Sequence, residues 1–286
     1  LTVVAFGTSA PELAVNVNAA LRGQSDISFG NIIGSNCANI GLIIGVAALI
    51  RPLNIQRAIV QREIPMMLLA TFAVFAMTLD GLLDGRAYNA IERGDAVILL
   101  LLFGVFMYYT VTVALDQRFG RAPLLMDEDL MEPEKVAMSW KRAGLFTLGG
   151  IVGVVLGGHL TVEGGVGLAR ELGVSQAIIG FTLVAIGTSL PELSTAIMAT
   201  RRKQSDIAVG NAVGSNIFNL LFIMGPTAVI HPIEVPAGGY GDLVAMTLLS
   251  LVLLPMAISD RLRIVRLEGG ALLIAYFGYM AWRSFG

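Results

Sequence analysis

Two glutamates, Glu12 and Glu192, each follow a proline inside an otherwise apolar, helix-patterned run. They sit in matched segments, Gly7-Thr8-Ser9-Ala10-Pro11-Glu12-Leu13 and Gly187-Thr188-Ser189-Leu190-Pro191-Glu192-Leu193. Proline lacks an N–H and pushes against the carbonyl four residues back, so each proline breaks its helix. The carbonyls of Gly7 and Gly187 lose their helical donors, and Ala5 and Ala185 lie close to the same breaks. Thr8, Ser9, Thr188 and Ser189 add hydroxyl oxygens there. Carboxylate, carbonyl and hydroxyl oxygens are what hard cations such as Ca2+ and Na+ prefer. The His and Cys ligands of softer metals are missing from both segments. The chemistry expected is cation binding and release. No nucleophile–base pair or nucleotide motif is visible, so neither enzyme activity nor a cofactor is expected.

A second pair of segments supplies more oxygen. Gly30-Asn31 with Gly34-Ser35-Asn36 and Asn39 matches Gly210-Asn211 with Gly214-Ser215-Asn216 and Asn219. Four-residue spacing puts Asn31, Ser35 and Asn39 on one helix face, and Asn211, Ser215 and Asn219 on another. Ser35, Asn39, Ser215 and Asn219 are read as facing the glutamates. Asn31, Asn36, Asn211 and Asn216 are read chiefly as glue between helices. The Gly30/Gly34 and Gly210/Gly214 pairs permit close helix approach. Asp26 and Asp206 are read as N-caps, His159 and Glu163 as rim residues, and His231 as interfacial.

The elements that must position these groups are membrane spans. Charged residues make up 14% of the chain and hydrophobic residues 55%, with mean hydropathy +0.76. A soluble domain is roughly 25% charged, so the expected solvent is a lipid bilayer. Full spans are read at 27–50, 63–83, 94–115, 142–162, 174–200, 206–230, 240–258 and 265–284, with a partial span at 1–21. The single cysteine, Cys37, lies in an apolar run and is read as packing. Of the 19 Lys and Arg residues, 14 fall on one side of this span list. The positive-inside rule makes that side cytoplasmic, including the connector 116–141. The division is thus an N-terminal membrane repeat at 1–115, a cytoplasmic loop at 116–141 and a C-terminal membrane repeat at 142–286. The setting expected is the plasma (inner) membrane. The partners expected are the bilayer and the transported ions, with no nucleic acid and no obligatory protein partner.

Residues 2–55 align without gaps with 182–235, through mostly polar, Gly and Pro identities. Five spans separate the equivalent helices, and an odd number inverts the second copy. Inverted repeats with broken helices mark secondary transporters with a site near mid-membrane. The second copy has a span and a half ahead of its motif. By the same plan, roughly 40 further residues, one helix and a half-helix, are expected ahead of Leu1. The fold class predicted is an all-α polytopic membrane protein, an inverted 5+5 helix repeat with breaks at mid-membrane. By this plan the first helix and part of the second are expected to lie ahead of this chain.

A carboxylate at mid-membrane costs about 2.5–3.5 kcal/mol on insertion scales. No Lys or Arg lies within the motif helices away from their ends. A cation or a proton must therefore balance Glu12 and Glu192.

The paired motifs, Gly-Thr-Ser-x-Pro-Glu-Leu and Gly-Asn-x-x-Gly-Ser-Asn-x-x-Asn, resemble those of the cation/Ca2+ exchanger superfamily, specifically its bacterial and archaeal Na+/Ca2+ exchanger branch. The resemblance implies ten helices, with the site on the second, third, seventh and eighth. It implies that Glu12 and Glu192 bind Ca2+ and also serve Na+, and that Thr8 and Thr188 add backbone carbonyls. Ser9, Ser35, Ser189 and Ser215, with the Ala5 and Ala185 carbonyls, would line flanking Na+ sites, and Asn39 and Asn219 would complete the central layer. Some relatives, K+-dependent exchangers among them, carry Asp where this chain has Asn219. Two formal charges instead of three argue against K+ co-transport. The mechanism expected is alternating access, with the first helix and its counterpart 142–162 sliding across a rigid core. The alternative is Ca2+/H+ exchange on the same glutamate pair.

Overall fold

The computed structural model describes residues 7–83, 85, 88–118 and 185–285, with scattered positions between 144 and 171. Helix α1, Ala10–Leu21, begins at the expected break. Ser9 sits ahead of it at φ −87°, ψ 8°, and Pro11 falls in the first turn, where no N–H partner is required. Two backbone bonds close its far end, Gly23 N to Ala20 O at 3.0 Å and Gln24 N to Ala19 O at 2.9 Å. They require the left-handed conformation that Gly23 adopts at φ +66°.

Helix α2, Ser25–Ile50, has 26 residues and is about 39 Å long at 1.5 Å per residue. Its middle, Ala38–Ile44, is π-helical. Then come strand β1 (Leu53–Asn54), helix α3 (Ile59–Met77, opening on a π turn at Ile59–Glu63), the single turn α4 (Asp80–Leu83), strand β2 (Ala90–Ile91) and helix α5 (Arg93–Arg118). The second copy repeats the plan. Helix α6 (Ala185–Thr188) and helix α7 (Leu190–Arg201) flank the break at Ser189. Helix α8 (Ser205–Ile230) again carries a π segment, Phe218–Ile223. Strand β3 (Ile233–Glu234), helix α9 (Gly239–Leu262), strand β4 (Arg263–Ile264) and helix α10 (Arg266–Phe285) complete the order.

Among the described residues, five helices are long and apolar enough to cross a membrane: α2, α3, α5, α8 and α9. The span expected at 63–83 stops at Met77, where Thr78 caps the helix by donating to Phe75 O at 2.7 Å. The span expected at 265–284 forms as α10, but it is not among those five. Gly269, Gly270, Gly278 and three charged residues, Arg266, Glu268 and Arg283, dilute its apolar run. The segments 142–162 and 174–184, the loop 116–141 beyond α5, Ala5, Trp140, His159 and Glu163 lie outside the described residues, apart from isolated turns. Asp26 and Asp206 are not N-caps: Gln24 and Gln204 hold those positions and the carboxylates sit in the first turn. There they face the positive end of the helix dipole, and Asp206 accepts from Gln56 Nε2 at 2.8 Å.

Helices α2 and α8 form the centre, with 83% of their apolar windows buried, whereas the window of α5 is only 11% buried among the described residues. The two halves interlock. Helix α10 lies on the C-terminal part of α2, where Gly41 and Gly45 admit Tyr276 and Leu273. Helix α5 lies on the equivalent part of α8, where Gly225 admits Leu100. The short strands also cross between halves: β1 pairs antiparallel with β4 (Leu53 opposite Ile264) and β2 with β3 (Ile91 opposite Ile233). Packing around α2 and α8 therefore brings the two proline breaks to one place.

Candidate functional site

Each break presents its hydroxyl to the other copy's glutamate. Ser9 donates to Glu192 Oε1 at 3.0 Å and lies 3.2 Å from Ser215 Oγ. Ser215 reaches the same Oε1 at 3.4 Å. Reciprocally, Ser189 donates to Glu12 Oε1 at 3.4 Å. These crossed bonds put two carboxylates that lie far apart in sequence into one cluster.

A second layer gathers at Thr188. Its Oγ1 lies 3.1 Å from Asn31 Oδ1, 3.2 Å from Ala185 O and 3.4 Å from Ser35 Oγ. One hydroxyl proton cannot serve so many acceptors, so the group is richer in oxygen lone pairs than in donors. The Ala185 carbonyl keeps its helical donor, Ser189 N at 3.1 Å, and also lies 3.5 Å from Ser35 Oγ. The proline effect thus falls two residues further on, at Gly187, whose carbonyl faces the position of Pro191.

Thr8, Ser9, Glu12, Ser35, Asn39, Ala185, Thr188, Ser189, Glu192, Ser215 and Asn219 are all buried, none above 8% exposure. Buried polar atoms nearly always find partners. Here Oε2 of Glu12, Oε2 of Glu192, Oδ1 of Asn39 and both amide atoms of Asn219 have no protein hydrogen-bond partner. Among the described residues no Lys or Arg pairs with either glutamate. The arrangement offers two carboxylates and several neutral oxygens, a donor set that suits a hard cation. A divalent ion there would balance both charges.

The four-residue argument for Asn31, Ser35 and Asn39 holds in part. Asn31 and Ser35 both meet Thr188, while Asn39, within the π segment, turns to Asn216 and donates to its Oδ1 at 2.9 Å. Asn216, expected chiefly to serve helix packing, also touches the central layer through Asn39.

An all-helical, multi-pass membrane body enclosing a buried carboxylate pair defines an ion transporter, not an enzyme. The family model described as sodium/calcium exchanger protein matches residues 1–112 and 143–285. The chain belongs to that family and is a cation antiporter of the sodium/calcium exchanger type. Among its relatives, the inner membrane protein YrbG of Escherichia coli is 35% identical over 88% of this chain and 75% of its own length. The sodium/calcium exchanger MaX1 of Methanosarcina acetivorans is 32% identical over 98% of this chain and 86% of its own. Among solved structures, the sodium-calcium exchanger NCX_Mj soaked with Na+ and Sr2+ superposes with a TM-score of 0.76 at 30% identity. That match covers 98% of this chain and 84% of the other.

Proposed function

We propose that the chain exchanges Na+ for Ca2+ by alternating access, with one central site built around Glu12 and Glu192. The observation that carries this reading is the crossed pair of bonds, Ser9 to Glu192 and Ser189 to Glu12, which joins the two glutamates in one buried oxygen cluster. Their combined charge of two matches one Ca2+. The hydroxyls of Ser9, Ser35, Ser189 and Ser215 and the Ala185 carbonyl, with the Ala5 carbonyl assigned by its place in the repeat, would serve Na+. Thr8, Thr188, Asn39 and Asn219 complete the ligand set. Ca2+ and Na+ compete for the same carboxylates, so occupancy by one excludes full occupancy by the other, and exchange follows. The architecture is an inverted 5+5 repeat in the inner membrane, with 116–141 cytoplasmic.

The test is uptake of radiolabelled Ca2+ into Na+-loaded proteoliposomes diluted into Na+-free buffer, with Glu192→Gln alongside. Uptake that needs internal Na+, survives a protonophore and vanishes in the variant is the expected result. Uptake that ignores Na+ and follows an imposed pH gradient would make the coupling ion H+.

A further inference from the structure

The two central asparagines, Asn39 and Asn219, occupy equivalent positions in the repeat, yet their surroundings differ. Asn39 Nδ2 donates to Asn216 Oδ1 at 2.9 Å. The roles in that bond are set by a neighbour that can only accept. Asn216 Nδ2 donates to the backbone carbonyl of Asn36 at 3.3 Å and lies 3.7 Å from Met67 Sδ. With its nitrogen committed there, Asn216 must present its oxygen to Asn39. Asn39 must in turn present its nitrogen, which leaves Asn39 Oδ1 buried and unpartnered.

The repeat-related contact does not form. Asn36 Nδ2 turns back along its own helix to Ile32 O at 2.7 Å. Asn36 Oδ1 and both amide atoms of Asn219 have no partner. One central amide is held in a single orientation and the other is not.

We infer that Asn216 is a positioning residue for cation binding: by taking the Asn39 N–H it holds the Asn39 side-chain oxygen ready as a ligand, a constraint that Asn219 lacks. The inference rests on the reading of the Glu12–Glu192 cluster as the site of the transported ions. A ligand already oriented loses less freedom on binding. The two sides of the pocket are therefore unequal despite their matching sequence. Asn39 is a fixed carbonyl, and Asn219 is an amide that can turn.

The test is the concentration dependence of Na+-driven Ca2+ uptake in proteoliposomes, giving KM for Ca2+ and kcat separately. Five proteins are compared: wild type, Asn39→Ala, Asn216→Ala, Asn36→Ala and the double variant Asn39→Ala/Asn216→Ala. Asn216→Ala is expected to raise KM for Ca2+ by about as much as Asn39→Ala, on the order of tenfold for one oriented ligand. The double variant is expected to match either single one, because the two residues act as a unit. Asn36→Ala is expected to leave KM within about twofold, since its side chain bonds only its own helix. Equal effects of Asn36→Ala and Asn216→Ala, or additive effects in the double variant, would overturn the inference and leave the site reading standing. An unchanged KM in Asn39→Ala would overturn the inference alone, because it removes Asn39 from the ligand set; failure of the site reading shows instead as Na+-driven Ca2+ uptake that survives Glu192→Gln. If Asn216→Ala fails to accumulate, Asn39→Asp and Asn219→Asp replace it. A carboxylate at 39 faces the Asn216 oxygen, so Asn39→Asp is expected to lose at least tenfold more uptake than Asn219→Asp. Equal losses would overturn the inference.

Discussion

Ser9 Oγ lies 3.0 Å from Oε1 of Glu192, a residue 183 positions away, and at the same time 3.2 Å from Ser215 Oγ. Its counterpart Ser189 makes one such contact, to Glu12 at 3.4 Å. The two halves of the site are thus not equally tight. A hydrogen bond to a charged group contributes about 1.5–3 kcal/mol. Ser9→Ala is expected to weaken the apparent Na+ or Ca2+ affinity about tenfold or more. Ser189→Ala is expected to cost less. Titrating each ion against initial uptake rates checks the order of the two effects, and a larger loss in Ser189→Ala would contradict it.

Both carboxylates are buried, and Oε2 of each has no protein donor. When both are ionised, their mutual repulsion acts against the ion-free fold. Glu12→Gln or Glu192→Gln is expected to raise the melting temperature of the ion-free protein in detergent. Ca2+ at about a hundred times its Kd is expected to stabilise the wild type by about 2.7 kcal/mol. That protection is expected to disappear in both variants. A thermal-shift series with and without Ca2+ measures both effects, and full protection of either Gln variant would remove that glutamate from the site.

Much of this site is legible in the sequence because it is written twice. The Pro-Glu breaks and the Ser and Asn positions recur at a constant spacing, and apolar composition alone does not repeat polar residues in register. The π segments at Ala38–Ile44 and Phe218–Ile223 are not legible. Their trace in the sequence is only Gly41 inside the first and Pro226 just after the second, and the two copies do not share it. The first segment turns Asn39 away from the face shared by Asn31 and Ser35. The Asn39–Asn216 bond is invisible in the sequence for the same reason. The partly buried pair of Asp242 and Arg283, 3.0 Å apart with Tyr279 donating to Asp242 at 2.7 Å, does leave a trace there. Asp242 opens α9 and Arg283 closes α10, so the two opposite charges stand at span ends that an antiparallel pair brings together.

The interlock of the two halves depends on glycines at close approaches. A Cβ on Gly45 would lie 2.8 Å from Leu273 Cγ and 3.0 Å from the Gly269 carbonyl. A Cβ on Gly269 would lie 2.6 Å from Ala48 Cβ. In both cases a backbone element resists the shift. Gly45→Val and Gly269→Ala are expected to destabilise by about 1–3 kcal/mol, the usual cost of overpacking. Gly270→Ala meets only Leu49 Cδ2 at 3.9 Å and is expected to be neutral. Melting temperatures of the purified variants distinguish these outcomes, and a drop for Gly270→Ala equal to that for Gly269→Ala would show that crowding does not set the cost.

The same helix ending is built twice from different residues. After α1 it uses Gly23 at φ +66°, and after α7 it uses Lys203 at φ +63°. The backbone bonds agree: Gly23 N to Ala20 O and Gln24 N to Ala19 O in one copy, Lys203 N to Thr200 O and Gln204 N to Ala199 O in the other. The left-handed conformation costs an L-residue roughly 1–2 kcal/mol that glycine avoids. Glycine gives back about 0.4–1 kcal/mol through the greater freedom of its unfolded chain. The Lys203 side chain is exposed, so its removal disturbs no packing. Lys203→Gly is therefore expected to stabilise the protein by about 0.5–1 kcal/mol. The reciprocal Gly23→Ala is expected to destabilise by a similar amount. A Cβ there would lie 3.6 Å from His231 Nε2, an ordinary contact, so only the backbone term operates. Melting curves for the two variants should shift in opposite directions, with transport at saturating ions unchanged in both. A stabilised Gly23→Ala would mean that the turn tolerates a side chain freely, and the difference between the two copies would then carry no energetic weight.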